Sequence, residues 1–173
     1  SHLAKQWEAE IKKVFPKGNV IKLLTKNNHA KLTYKEVMDA DIIIVTQQFL
    51  MNFKYYPLVH YQYCTPSNFS FDSRINHLTS LLQSWKDDSN KDITKEIQPN
   101  LEHFYFHRLI VDEGHEIFGM NVGNHSMAEY MSKWLSRMHS SYKWFVSGTP
   151  FINNIGLINS LNFIGARIYE GIE

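Results

Sequence analysis

The stretch DIIIVT, residues 41–46, is the strongest constraint on how this chain can fold. Its apolar residues run continuously instead of alternating with polar ones. A strand buried on both faces of a parallel sheet looks like this, because helices cover it above and below. RLIVDE (108–113) repeats the pattern, NVIKLL (19–24) reads as a further strand, and KWFVSGTP (143–150) reads as a strand ending in a turn. Helical patterns alternate with these runs. The expected class is therefore α/β, a parallel sheet with helices on both faces. No internal repeat is present.

The helices have their own signals. Leu3, Trp7, Ile11 and Phe15 recur at helical spacing behind Ser1, which is placed to cap them. Thr33 and Glu36 stand at capping-box spacing before a short helix, as do Ser126 and Glu129 before a stripe of Tyr130, Trp134 and Met138. NNIGLINSLNFI (153–164) reads as a closing helix. Residues 53–72 carry aromatics without a period and read as an irregular insertion. A helix marked by Ile75, Leu78, Leu82 and Trp85 follows, and residues 86–100 read as an exposed polar connection. The aromatic segment fits a small satellite core better than a base-stacking or docking surface.

Composition narrows the class. A length of 173 residues suits one domain or a piece of a larger one. No apolar run approaches the ~20 residues of a membrane span, and SHLAKQWEAE lacks the layout of a secretion signal. A single cysteine, Cys64, excludes an internal disulfide and fits a reducing, intracellular setting. Net charge is +1, yet Lys5, Lys12, Lys13, Lys17, Lys22, Lys26, Lys31 and Lys35 crowd the first fifth. They are either a phosphate-facing patch or the solvated faces of helices, and for any one lysine the second reading is favoured.

Ligands of open parallel sheets bind beyond the carboxyl ends of the strands. DEGHE (112–116) and SGTP (147–150) both follow a strand, so both should face one crevice. A carboxylate there can hold the magnesium ion that bridges nucleotide phosphates, and a neighbouring glutamate can orient the attacking water. If the strand persisted, Asp112 and Glu113 would point to opposite sides and divide these roles. A zinc hydrolase is the competing idea, because His103, His107, His115 and His125 surround the pair. No His-Glu-x-x-His or paired-cysteine spacing supports it.

VDEGH followed by SGTP one helix and one strand later resembles motifs II and III of superfamily-two helicases and translocases. SGTPFINN with SLNFI is similar to the Swi/Snf-type ATPases, SHLAKQWEAEI to their motif Ia, ADIIIVTQQFL to motif Ib, and FHRLIVDEGHEI to the segment entering motif II. The matches occur in the family's order and cover most of the chain outside roughly residues 52–100. The resemblance implies the first RecA-like lobe of an ATP- and Mg2+-dependent motor on double-stranded DNA. It implies that Asp112 coordinates magnesium through ATP, and that Glu113 is the hydrolytic base or water-orienter. His115 would link the nucleotide site to Ser147 and Thr149, which with Gly148 relay nucleotide state; the small Gly114 would let the histidine pack that way. Ser1, His2, Lys5 and Thr46 would lie near the sugar-phosphate backbone, giving position without sequence reading. A cellular eukaryotic member would be nuclear.

There are departures. Glu116, Ile117, Phe118 and Gly119 stand where relatives carry a basic residue and an asparagine, and Ile152 replaces a glutamine. No Gly-x-x-x-x-Gly-Lys-Ser/Thr occurs. The expectation is therefore a partial lobe lacking the P-loop strand, completed by an upstream segment and a second RecA-like lobe, and inactive alone. The alternatives are a viral-type nucleoside triphosphatase or RNA helicase acting in transcription, and a P-loop-less, non-catalytic interaction module.

Overall fold

A computed structural model describes residues 2–50, 83, 92–119, 131–132, 134–136, 138–149 and 153–166. Ser1, Cys64, the aromatic segment 53–71, His125, the Ser126–Glu129 box, Tyr130, Pro150 and Ile152 lie outside them. So does the helix expected through Ile75 and Trp85, apart from Gln83, which is helical. The chain forms two compact units, Ser1–His103 and Phe104–Glu173.

The first unit opens with α1 (His2–Val14), whose last turn carries Lys12 and Lys13 where the helix dipole favours cations. Strand β1 (Val20–Leu23) pairs in parallel with β2 (Ile42–Val45), Val20 opposite Ile42 and Leu23 opposite Val45. The strand starts are tied together: Asn19 N–H donates to Asp41 Oδ2 at 2.8 Å and Asn19 Nδ2 to Asp39 O at 3.0 Å. Two helices cross between the strands. The first, α2 (Lys26–Lys31), is capped by Thr25, whose hydroxyl oxygen accepts from Asn28 N–H. The second, α3 (Tyr34–Met38), has the full capping box, Thr33 receiving Glu36 N–H while Glu36 receives Thr33 N–H at 2.7 Å. The one-turn α4 (Gln47–Leu50) follows β2 and buries Phe49.

Residues 92–103 are more than an exposed connection. After a 3-10 turn at Ile93–Lys95, Ile97 bridges Thr33 antiparallel and Gln98 N–H donates to Leu32 O at 2.9 Å. Pro99 is fully buried, and its carbonyl accepts from His29 Nε2 at 2.9 Å, which places that ring's proton on Nε2. Tyr34 Oη lies 2.6 Å from His103 Nδ1 and accepts Asn100 N–H. Burial holds both histidines below the ordinary imidazole range, His103 at about 4. His29 is buried with its ring 5.5 Å from Phe49, and the half-buried His103 ring stacks on Tyr34.

Four lysines of the lysine-rich opening are engaged locally. Lys12 donates to Gly18 O at 2.6 Å, Lys13 pairs with Glu10, Lys22 with Glu8 and Lys35 with Asp39. Half of the eight lysines are thus tied to their own unit, which favours solvated helix faces over a dedicated phosphate patch.

In the second unit β3 (Phe106–Val111) pairs in parallel with β4 (Ser140–Phe145), Arg108 opposite Tyr142 and Val111 opposite Phe145. One face of the pair packs on α6 (Asn154–Ile164), and the helical residues Met131, Ser132, Trp134 and Leu135 are buried, with Ser136 half-buried after them. Lys143 lies on this face. Its ammonium donates to Ser136 O near the end of that helical segment and sits 5.5 Å from the Phe163 ring, and burial lowers its pKa. Met138 is buried but lies past the helical segment, so the expected stripe ends before it.

The opposite face is open. Ile110, Tyr142 and Trp144 are each about half exposed, with the Arg108 guanidinium 4.9 Å from the Trp144 ring. The apolar runs therefore form parallel strands as their sequence predicts, yet RLIVDE is covered on one side within this chain, and Ile42–Val45 are only half-buried. Mixed helices and short, strictly parallel strand pairs make this an α/β chain. No described helix is long and apolar enough to cross a membrane.

Candidate active site

The site is built on the paired ends of β3 and β4. Their ladder runs on past the strands: Val146 N–H donates to Val111 O at 2.9 Å, and Gly114 N–H donates to Val146 O at 3.0 Å. Between these two bonds the chain makes the turn Asp112–Gly114. The strand has stopped at Val111, so Asp112 and Glu113 are not separated by strand alternation. The turn separates them instead. Glu113 sits in the left-handed region with φ 49, uncommon for a side chain bearing a Cβ and worth roughly 1–3 kcal/mol of backbone strain. Its N–H donates to Asp112 Oδ1 at 3.1 Å, and its carbonyl receives Glu116 N–H at 2.9 Å as helix α5 (His115–Phe118) begins.

Gly114 is required by space. It has helical backbone angles, but a Cβ there would fall 2.4 Å from Phe145 Cε2 and 2.5 Å from Cδ2. The small residue is thus needed against the end of β4 itself, and the histidine benefits because the turn can close.

His115 Nδ1 lies 2.6 Å from Ser147 Oγ and 3.3 Å from Glu113 Oε2. A carboxylate that close to an imidazole lone pair would be repelled, so the arrangement favours the Nδ1–H tautomer, which donates to Ser147 Oγ with the Glu113 carboxylate beside it. Ser147 Oγ also accepts Thr149 N–H at 3.1 Å, which fixes the turn containing Gly148. His115, Ser147 and Thr149 are thus joined by hydrogen bonds across two adjacent strand ends, with the Glu113 carboxylate in charge contact at 3.3 Å from His115. Asp112 and Glu113 are both exposed.

The one-turn α5 explains a departure noted in the sequence. Ile117 and Phe118 are buried, Phe118 with its ring centroid 5.1 Å from Phe163 and 5.9 Å from Phe145. Of the four residues standing where a basic residue and an asparagine were expected, Ile117 and Phe118 are core, Gly119 is half-buried and Glu116 is exposed.

The remaining candidates lie in the first unit. His2 and Lys5 stand exposed on the first turn of α1. Thr46 follows β2, where its N–H donates to Leu23 O and its hydroxyl oxygen accepts Phe49 N–H at 3.2 Å. That hydroxyl caps α4 and still has its own proton to give. Ser1 lies outside the described residues. Among the described residues no group of three or more His, Cys, Asp or Glu is arranged to hold a metal ion. His107 packs edge-on to Tyr142 at 5.3 Å.

Comparison with known families decides the wider assignment: a profile of the SNF2-related domain matches residues 1–173. The chain belongs to the SNF2-related domain family. It is therefore a member of an ATPase/helicase-like family, consistent with the first lobe of a Swi/Snf-type superfamily-two ATPase. No curated protein matches the chain.

Proposed function

We propose that this SNF2-related chain is part of the first RecA-like lobe of a motor that couples ATP hydrolysis to movement on double-stranded DNA. The observation that carries the reading is the His115–Ser147 bond of 2.6 Å, which joins the acidic turn to the Ser-Gly-Thr turn across neighbouring parallel strand ends. Such a link lets a change at one strand end be felt at the other.

The donor set fits magnesium held through nucleotide phosphates. That ion takes hard oxygen ligands and typically one or two carboxylates, and Asp112 supplies an exposed carboxylate at the end of β3. When bound, the ion would neutralise charge developing on the phosphate oxygens. Glu113 is the residue to orient and polarise the attacking water, with His115 Nδ1–H steadying its carboxylate. Ser147, Gly148 and Thr149 would relay nucleotide state, and Ser1, His2, Lys5 and Thr46 would meet the sugar-phosphate backbone. Phosphate binding itself needs the P-loop that this sequence lacks, so the activity belongs to the full-length protein, together with a second lobe.

The test is Glu113→Gln in the full-length protein. DNA-stimulated ATP turnover should fall by roughly 10²–10⁴-fold, the usual contribution of a positioned base, while ATP affinity by calorimetry stays put. Undiminished turnover removes Glu113 from that role. Stimulation by duplex DNA should exceed that by single strands or RNA; a preference for RNA transfers the reading to an RNA-directed helicase. Complete absence of ATPase activity in the wild type leaves the non-catalytic interaction module.

A further inference from the structure

Beyond the contacts at the strand ends, the segments that follow the acidic turn and the Ser-Gly-Thr turn meet a second time, through a residue with no role so far. Asn153 Oδ1 accepts Gly156 N–H at 2.7 Å and so caps α6, while its Nδ2 donates to Gly119 O at 3.0 Å. Gly119 closes α5, the helix that begins with His115. One rung, His115 to Ser147, therefore connects the two segments at their starts. A second, Gly119 to Asn153, connects them four and six residues further on.

The second rung is supported on both sides. Asn159 Nδ2 donates to Phe118 O at 3.2 Å, so two carbonyls at the end of α5 each receive a side-chain amide from the α6 segment. A one-turn helix cannot satisfy those carbonyls internally. The backbones come close enough because both sides are glycine: a Cβ on Gly156 would lie 3.0 Å from Gly119 Cα. Asn153, Gly156, Ser160 and Phe163 repeat at helical spacing, and of these Gly156, Ser160 and Phe163 are buried.

We infer that Asn153 is a positioning residue for the DEGH turn: its amide nitrogen, acting through Gly119 O and α5, holds His115 against Ser147 and so holds Glu113 in its working place. This rests on the proposed function for its kinetic consequence, though not for its geometry. With the second rung gone, α5 is held at that end by Asn159 and the Phe118 ring, and the His115–Ser147 distance is no longer fixed from both ends. Misplacement of a positioned group by about an ångström can cost on the order of 10²-fold in rate.

Serine separates the two ends of Asn153, since it caps a helix about as well as asparagine but cannot reach Gly119 O with an N–H. In the full-length protein, Asn153→Ser should leave the melting temperature and the KM for ATP near wild type and lower kcat about 5- to 50-fold. Asn153→Asp, which caps but turns an oxygen toward the Gly119 carbonyl, should lower it at least as far. The imidazole NMR signals of His115 should shift in both variants, as a remote structural defect would not make them do. A wild-type kcat in Asn153→Ser overturns the inference. If the wild type hydrolyses no ATP, the functional reading fails and the NMR arm decides alone: shifted His115 signals support the clamp, and unshifted ones refute it.

Discussion

Consider Gly114→Ala. The added methyl would meet Phe145 Cε2 at 2.4 Å and Cδ2 at 2.5 Å. Carbon atoms rest at about 3.5–4.0 Å, so the ring or the turn must yield by roughly 1–1.5 Å. Neither has an easy way out. The ring packs on Phe118, which packs on Phe163, and both of those are fully buried. The turn is pinned by Gly114 N–H on Val146 O and by His115 on Ser147. Forced overpacking of this kind costs about 1–3 kcal/mol. For a domain of this size that corresponds to a melting-point loss of roughly 2–12 °C, at about 2–4 °C per kcal/mol.

A double-mutant cycle makes the mechanism specific. Phe145→Leu alone should destabilise by removing ring contacts, but in the Gly114→Ala background it opens space, so the two losses should add to less than their sum by at least ~0.5 kcal/mol. Thermal and urea unfolding of the four proteins measure this. A Gly114→Ala protein melting within a degree of wild type, or a cycle with no coupling, refutes the claim that Phe145 dictates glycine here.

Two further outcomes follow from the first unit and from the end of α6. His29 and His103 are held neutral by burial, and His103 protonates only at about 4 when folded. The unfolded chain takes up those protons near the ordinary ~6.5, so stability is fully present above that value. It falls as pH drops below 6.5, by up to about 1.4 kcal/mol per pH unit for each histidine until that group's folded pKa is passed, which for His103 is about 4. Urea midpoints at pH 7.5, 6 and 5 should decline accordingly, His103→Gln should flatten the slope, and constant midpoints down to pH 5 contradict the assignment. Gly165 ends α6 at φ 76, its N–H on Asn162 O and Ala166 N–H on Leu161 O, with nothing within 4 Å of where a Cβ would stand. Gly165→Ala should therefore cost about 1 kcal/mol through backbone strain alone, and Gly165→Asn should recover part of it in the same unfolding assay.

Features read correctly from sequence are those in which one short segment specifies its own state. The Thr33–Glu36 box and the helix after Asn153 are of this kind, each decided within about a dozen residues, and the continuous apolar runs mark themselves as parallel strands although their partners lie 22 or 34 positions away. The short helices α2, α4 and α5 were not foreseen. Lys26–Lys31 contains two asparagines and a histidine, poor helix formers, and is held by the Thr25 cap and by burial of His29. Likewise the docking of residues 96–103 against α3 depends on a bridge and ring contacts spanning more than sixty residues, which leave no periodicity to read.

The candidate site divides along the same line. The meeting of Glu113, His115 and Ser147 at neighbouring strand ends was legible because such residues are unusual there and because a family pattern spaces them. What holds them was hidden. Phe145, Gly119, Asn153 and Asn159 look ordinary where they stand, and their importance comes from contacts across 31 to 41 positions of the chain. Reactive groups must be particular residue types, whereas supporting groups need only the right shape or one well-placed amide. A chain can therefore announce its chemistry in five letters while the rigidity that chemistry needs is spread through an asparagine-rich helix and a phenylalanine cluster. On this argument the variants most damaging to turnover without unfolding the protein should lie at those supporting positions, with Asn153→Ser the sharpest case.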